Sequence, residues 1–194
     1  MVIGVLVDAN VLRSRTLRDW LFLLREHSDG SLFTVHATED IVAEVVYTMR
    51  RDKPDLPGRV TKQLHDLIMR CLDDVVSDYT VDGSFEGADE NDAHVHAAAL
   101  ACEAGLLLTA DKGFTAVPEH VDDTLPYEVH TPDSFFTLVD DSAPLAVRTV
   151  TERQAAFWSG RQDGRPLVDA LRDADCPRFA ARVALHQLTL HDLT

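Results

Sequence analysis

Asp8, Glu44, Asp92 and Asp111 are the residues of this 194-residue chain whose types and positions can do chemistry together. Asp8 closes the aliphatic run Val2–Val7, and Asp111 follows the run Leu106–Thr109. Asp92 opens an alanine-rich stretch, and Glu44 lies beside the apolar positions Ile41 and Val45. Singly, each has a plain structural use: an Asp after a strand caps a turn or helix, and a helical Glu is commonly a solvated charge. As a set they are costly. Two charges about 4 Å apart repel by roughly 4 kcal/mol at an effective dielectric near 20. A shared proton, a base or a divalent cation removes that cost. Oxygen donors favour hard Mg²⁺ or Mn²⁺, which keep several waters and bind phosphates. The chemistry such a set performs is metal-assisted phosphodiester hydrolysis.

The elements that must position these acids alternate along the chain. Val2–Val7 has the continuous apolar character of a parallel strand buried on both faces. Thr16–His27 carries Leu17, Trp20, Leu21 and Leu24 at helical spacing, with Thr16 as the expected N-cap. Phe33–His36 reads as a short strand or loop. Thr38 caps a helix that ends near Arg50-Arg51, and Arg59–Asp73 repeats the helical pattern. Asp74–Thr80 is ambiguous, and 82–92 is an acidic, Gly-bearing loop. Asn91–Ala104 is a small-residue helix with Gly105 as its expected stop. Leu106–Thr109 and Tyr127–His130 are further strands, and Pro132–Leu138 is a helix with Pro in its first turn. The alternation predicts an α/β fold with a parallel sheet, in which ligands gather at the carboxyl ends of the strands. Leu145–Trp158, Pro166–Ala174 and Arg178–Leu190 read as three helices. They are expected to form a C-terminal helical extension over 141–194, distinct from a domain over 1–140.

Composition excludes several classes. Apolar residues make up 45% and charged residues 26%, which is ordinary for a globular chain. No apolar run approaches the roughly 18 residues needed to span a bilayer, and the N-terminus lacks the basic start of a signal peptide. Cys71, Cys102 and Cys176 are odd in number and far apart, as expected of reduced cytoplasmic thiols. The net charge of -15 falls almost wholly in residues 71–140, which hold sixteen acids and the single base Lys112. A basic nucleic-acid coat is absent. Any phosphate contact must come mainly from the ten bases of residues 13–70, such as Arg50-Arg51 and Lys53. No nucleotide-binding glycine loop or G-x-S-x-G element is present. His94 and His96, two apart on one helix, are poorly spaced for joint ligation and are expected to serve structure. Trp20, Phe22, Phe33 and Phe157-Trp158 are expected to pack.

Four segments in order resemble the PIN-domain nucleases, particularly the VapC-like toxins of toxin–antitoxin pairs. Val7-Asp8-Ala9-Asn10-Val11-Leu12 is similar to their opening element, and Glu44 within Ile41–Val45 to their helical acid. Asp89-Glu90-Asn91-Asp92-Ala93-His94-Val95 resembles the third acidic element, and Leu107-Leu108-Thr109-Ala110-Asp111-Lys112-Gly113-Phe114 the last. The likeness covers residues 2–140, and the helical tail departs from compact members. It implies a three-layer α/β/α fold and an Mg²⁺- or Mn²⁺-dependent ribonuclease. It further implies a homodimer that is inhibited by a cognate antitoxin. Asp8, Glu44, Asp92 and Asp111 would hold metal, Asn10 and Thr109 would orient ligands or water, and Asp89 would be an outer acid.

Three alternatives stay open at this point. One is a PIN nuclease of RNA processing with no antitoxin. Another is a non-catalytic acidic module for a basic partner. The last is a haloacid-dehalogenase-like phosphatase, which is weakened because Asn10 stands where that family has a second Asp.

Overall fold

The computed structural model describes residues 2–28, 31–83, 85, 92–111, 114, 125–159 and 165–191. Its strands are β1 (Ile3–Val7), β2 (Phe33–Ala37), β3 (Asp74–Val75), β4 (Leu106–Leu108) and β5 (Glu128–His130). They form one parallel sheet in the order β3-β2-β1-β4-β5. The helices are α1 (Ala9–Arg13), α2 (Arg15–His27), α3 (Glu39–Asp52), α4 (Gly58–Cys71), α5 (Ala93–Ala101), α6 (Pro132–Ser142), α7 (Pro144–Ser159), α8 (Leu167–Asp173) and α9 (Pro177–His191). The class is the expected α/β: a five-stranded parallel sheet with helices around it, consistent with a three-layer α/β/α arrangement and additional C-terminal helices.

The chain forms two compact units. The first comprises residues 1–13 and 32–130, and the second residues 14–31 and 131–194. The boundary expected near residue 140 falls inside α6.

In the first unit β1 is the central strand. Val5, Leu6 and Val7 are fully buried, and Val5 lies in register with Val35 on one side and Leu106 on the other. The aliphatic runs thus become interior strands because both of their faces are covered. Thr38 caps α3 as expected, accepting a hydrogen bond from Ile41 N at 3.0 Å. The end of α5 differs from expectation. Glu103, with φ 49°, is in the left-handed conformation that turns the chain, and Gly105 is not. Gly105 instead permits a close approach: a Cβ there would lie 3.2 Å from Ile3 Cγ2 on the neighbouring strand.

The second unit is built from α2 and α6–α9. The start of α2 is a correction. Ser14 is its N-cap, in extended conformation and accepting from Leu17 N, and Thr16 already lies within the helix. Trp20 of α2 stands edge-on to Phe179 of α9 with ring centroids 4.9 Å apart, and Phe136 of α6 lies 5.2 Å from Phe179. All three are essentially inaccessible to solvent. Two buried acids tie α6 to α9. Asp133 accepts from Phe179 N at 2.8 Å, satisfying a donor in the first turn of α9 that has no partner within its own helix. Asp140 is held by Arg182 at 3.1 Å and His186 at 2.7 Å. None of the three cysteines forms a disulfide; burial pushes the Cys176 thiol up to about 12. Among the described residues no helix is long and apolar enough to cross a membrane.

Candidate active site

At the carboxyl edge of the sheet, Asp8 is fixed by groups from the ends of two neighbouring strands. Its backbone N donates to Leu108 O at 3.0 Å, joining the end of β1 to the end of β4. One carboxylate oxygen accepts from Ala9 N at 2.5 Å. The other accepts from Asn10 Nδ2 at 2.5 Å and from Thr109 Oγ1 at 2.6 Å. Thr109 is fully buried, and its hydroxyl oxygen also accepts from Asn10 Nδ2 and from Asp111 N. Asn10 Oδ1 in turn accepts from Ala110 N at 2.9 Å. Every polar atom of this small network has a defined task, so the Asp8 carboxylate has one orientation.

Around Asp8 lies a cleft of about 550 Å³, lined among others by Asp8, Asn10, Glu44, Asp92, Asp111 and His94. The cleft therefore gathers all four acids singled out from the sequence. Glu44 projects from α3 and is exposed. Asp111 is exposed just beyond β4. Asp92 immediately precedes α5, but its side chain makes no capping hydrogen bond, so capping does not explain this carboxylate. Asp89 and Lys112 lie outside the described residues.

Burial raises the Asp8 pKa above its ordinary 3.8, and the Asp111 charge adds to this. The Thr109 and Ala9 hydrogen bonds and His94 oppose it. Glu44 is also raised, first by partial desolvation and then by Asp8, against the pull of His94 and Arg13. The carboxylates feel one another, as the sequence argument expects of a set brought close together.

This has a measurable consequence. A folded-state pKa raised above the unfolded one means that the folded chain holds its proton longer. The associated stability is complete below about pH 4 and is lost as pH rises through the folded value. In chelator, the guanidinium midpoint of the wild type, measured relative to Asp8→Asn, should fall with rising pH across this window and then level off. A difference that stays constant from acid to neutral pH contradicts the assigned strain.

The donor set suits a hard cation: all four carboxylates offer oxygen to one cleft, and Asp8 is already oriented. Among the described residues, however, no three Asp, Glu, His or Cys side chains converge into a ready coordination group. An ion held here would keep part of its hydration and reach some of these acids through water.

The cleft also holds Arg51, a phosphate-contact candidate in the sequence, together with Thr48 and Arg13, which were not singled out there. Thr48 and Arg51 line it from α3, and Arg13 from the end of α1. Thr48 and Arg51 follow Glu44 by four and seven residues, the spacing of one helical face, so a signal for them was present. His94, expected to be structural, also lines the cleft. His96 points elsewhere: it is buried, hydrogen-bonds Tyr127 Oη at 2.7 Å, and burial lowers its pKa.

A parallel sheet with helices around it and an acid-lined cleft at its carboxyl edge defines an α/β protein whose candidate site lies where such sheets bind ligands. The PIN domain family pattern matches residues 4–113, more than half of the chain. The protein belongs to the PIN-domain family, whose members are generally nucleases. No curated protein and no solved structure matches it.

Proposed function

We propose that this chain is a metal-dependent endoribonuclease, acting in the cytoplasm as the toxin of a toxin–antitoxin pair. The observation that carries the hydrolytic reading is the single cleft lined by Asp8, Glu44, Asp92 and Asp111, with Asp8 locked by Asn10 and Thr109. In this reading the four carboxylates hold Mg²⁺ or Mn²⁺, directly or through water. Asn10 and Thr109 keep Asp8 aimed, and Asp89 is an outer acid. The bound cation supplies Lewis acidity toward the phosphate and makes water a better nucleophile at neutral pH. The protein's part is to orient the carboxylates and to leave the cleft open to a strand.

Toxin activity, a homodimer and an inhibitory antitoxin follow from the family resemblance. A basic antitoxin tail that places Arg beside these acids would compete with the metal, because a guanidinium pairs bidentately with a carboxylate. A PIN nuclease of RNA processing shares the same site. The two are separated by whether a small neighbouring gene encodes a DNA-binding protein that inhibits this chain and loses its grip as Mg²⁺ rises.

The chemistry is tested on product ends. Attack by water on phosphorus with departure of the protonated 3′-oxygen leaves a 5′-phosphate and a 3′-hydroxyl, and no cyclic phosphate forms because the 2′-hydroxyl takes no part. Mass spectrometry of cleaved oligoribonucleotides should show those ends. A 2′,3′-cyclic phosphate would overturn the assignment even if RNA is cut.

A further inference from the structure

We propose that Arg13 and Arg51, aligned by Asp52 between them, form a two-arginine clamp that grips the nucleic-acid backbone at the rim of the acidic cleft. The inference rests on the nuclease reading and names the residues that let a polyanion approach four carboxylates. Among the described lining residues, these two are the only Arg or Lys side chains. They arrive from different elements, Arg13 as the last residue of α1 and Arg51 from the last turn of α3. One carboxylate holds both: Arg13 Nη1 lies 3.3 Å from Asp52 Oδ2, and Arg51 Nε 3.5 Å from Asp52 Oδ1. The side chains remain 49% and 60% exposed. A guanidinium has five N–H donors, so each has donors left for a phosphate after its contact with Asp52.

The neighbouring Arg50 shows the contrast. Its guanidinium is spent within the protein, donating to Pro54 O, Leu56 O and Thr61 Oγ1, so it fixes the connection from α3 to α4. Of the basic run that ends α3, only Arg51 faces the carboxylates.

The test uses a 5′-fluorescein oligoribonucleotide of mixed sequence, with Mg²⁺, across a range of salt. Arg13→Gln/Arg51→Gln should raise KM about tenfold and leave kcat within about twofold. It should flatten the salt dependence of kcat/KM by about 1.4 in log–log slope, since each single-strand phosphate contact contributes about 0.7. Arg→Lys at both positions should restore the slope while KM stays severalfold high, because the planar fork is lost. Asp52→Asn should keep the slope and raise KM without changing kcat. Unchanged melting confirms that the variants fold, as expected for half-exposed positions. If the wild type cuts RNA and the double Gln variant matches it in KM and slope, the clamp is wrong and the nuclease stands. If the wild type cuts no RNA, the nuclease reading falls and the clamp with it.

Discussion

Asp8→Asn should lower RNA cleavage about a thousandfold while leaving the chain folded. That factor corresponds to about 4 kcal/mol of transition-state stabilisation, a magnitude in keeping with loss of a metal ligand. Asparagine has nearly the same shape but no charge, and its amide nitrogen accepts no hydrogen bond, so it loses either the Ala9 bond or the Asn10 and Thr109 bonds, whichever way the amide lies. The second readout is thermal. A ligand that binds only the folded state stabilises by mass action, by about 2.7 kcal/mol at a hundred times its dissociation constant. For a chain of this size that amounts to at least about 5 °C. Wild type should show this rise with Mg²⁺ or Mn²⁺, and Asp8→Asn should lose it. A variant that cuts RNA at the wild-type rate, or a wild type indifferent to millimolar divalent ions, removes the basis of the metal assignment.

Phe179→Ala should be the most destabilising single truncation in the second unit, costing about 3–5 kcal/mol and lowering its melting temperature by about 10 °C. The ring is fully buried and makes two aromatic contacts at once, edge-on to Trp20 and tilted against Phe136. Such pairs add about 0.5–1.5 kcal/mol each beyond area burial. The cavity would open where α2, α6 and α9 meet. Near-ultraviolet circular dichroism should report loss of the fixed Trp20 environment, and Phe179→Leu should recover most of the midpoint. A loss under about 1 kcal/mol for the alanine variant would show that the three helices are held by something else.

The site was legible from the sequence where its determinants are local. Val2–Val7 and Leu106–Thr109 are largely apolar runs, each followed within two residues by an acid, and parallel sheets put such residues at the binding edge. Glu44 was legible from its place beside the apolar positions Ile41 and Val45, although a helical Glu is commonly a solvated charge, and the family resemblance supported it. What stayed hidden depends on pairs far apart in sequence. The hydrogen bond between Asn10 and Thr109 joins residues 99 positions apart. Leu17, Trp20, Leu21 and Leu24 announced a buried face on α2 but not that Trp20 meets Phe179, 159 residues further on. Gly105 looked like a helix stop because the usual use of glycine is local; here its small size serves a contact with Ile3 across the sheet. The choice of Ser14 over Thr16 as N-cap turned on where α1 ends, which two nearby hydroxyls cannot decide.

The second unit draws on two pieces of chain separated by the whole of residues 32–130. On the ribosome this imposes an order of events. Trp20 emerges early, whereas Phe179 is added 159 residues later, about ten to thirty seconds at ordinary elongation rates. The first unit's sheet can pair during that interval, but the apolar face of α2 must wait for the last helices to be synthesised. A nascent or prematurely terminated chain therefore carries an uncovered Trp20, Leu21 and Leu24, the kind of surface that chaperones and proteases recognise. Quality control over this protein thus depends on whether α6–α9 have been made, however well its acidic cleft has formed.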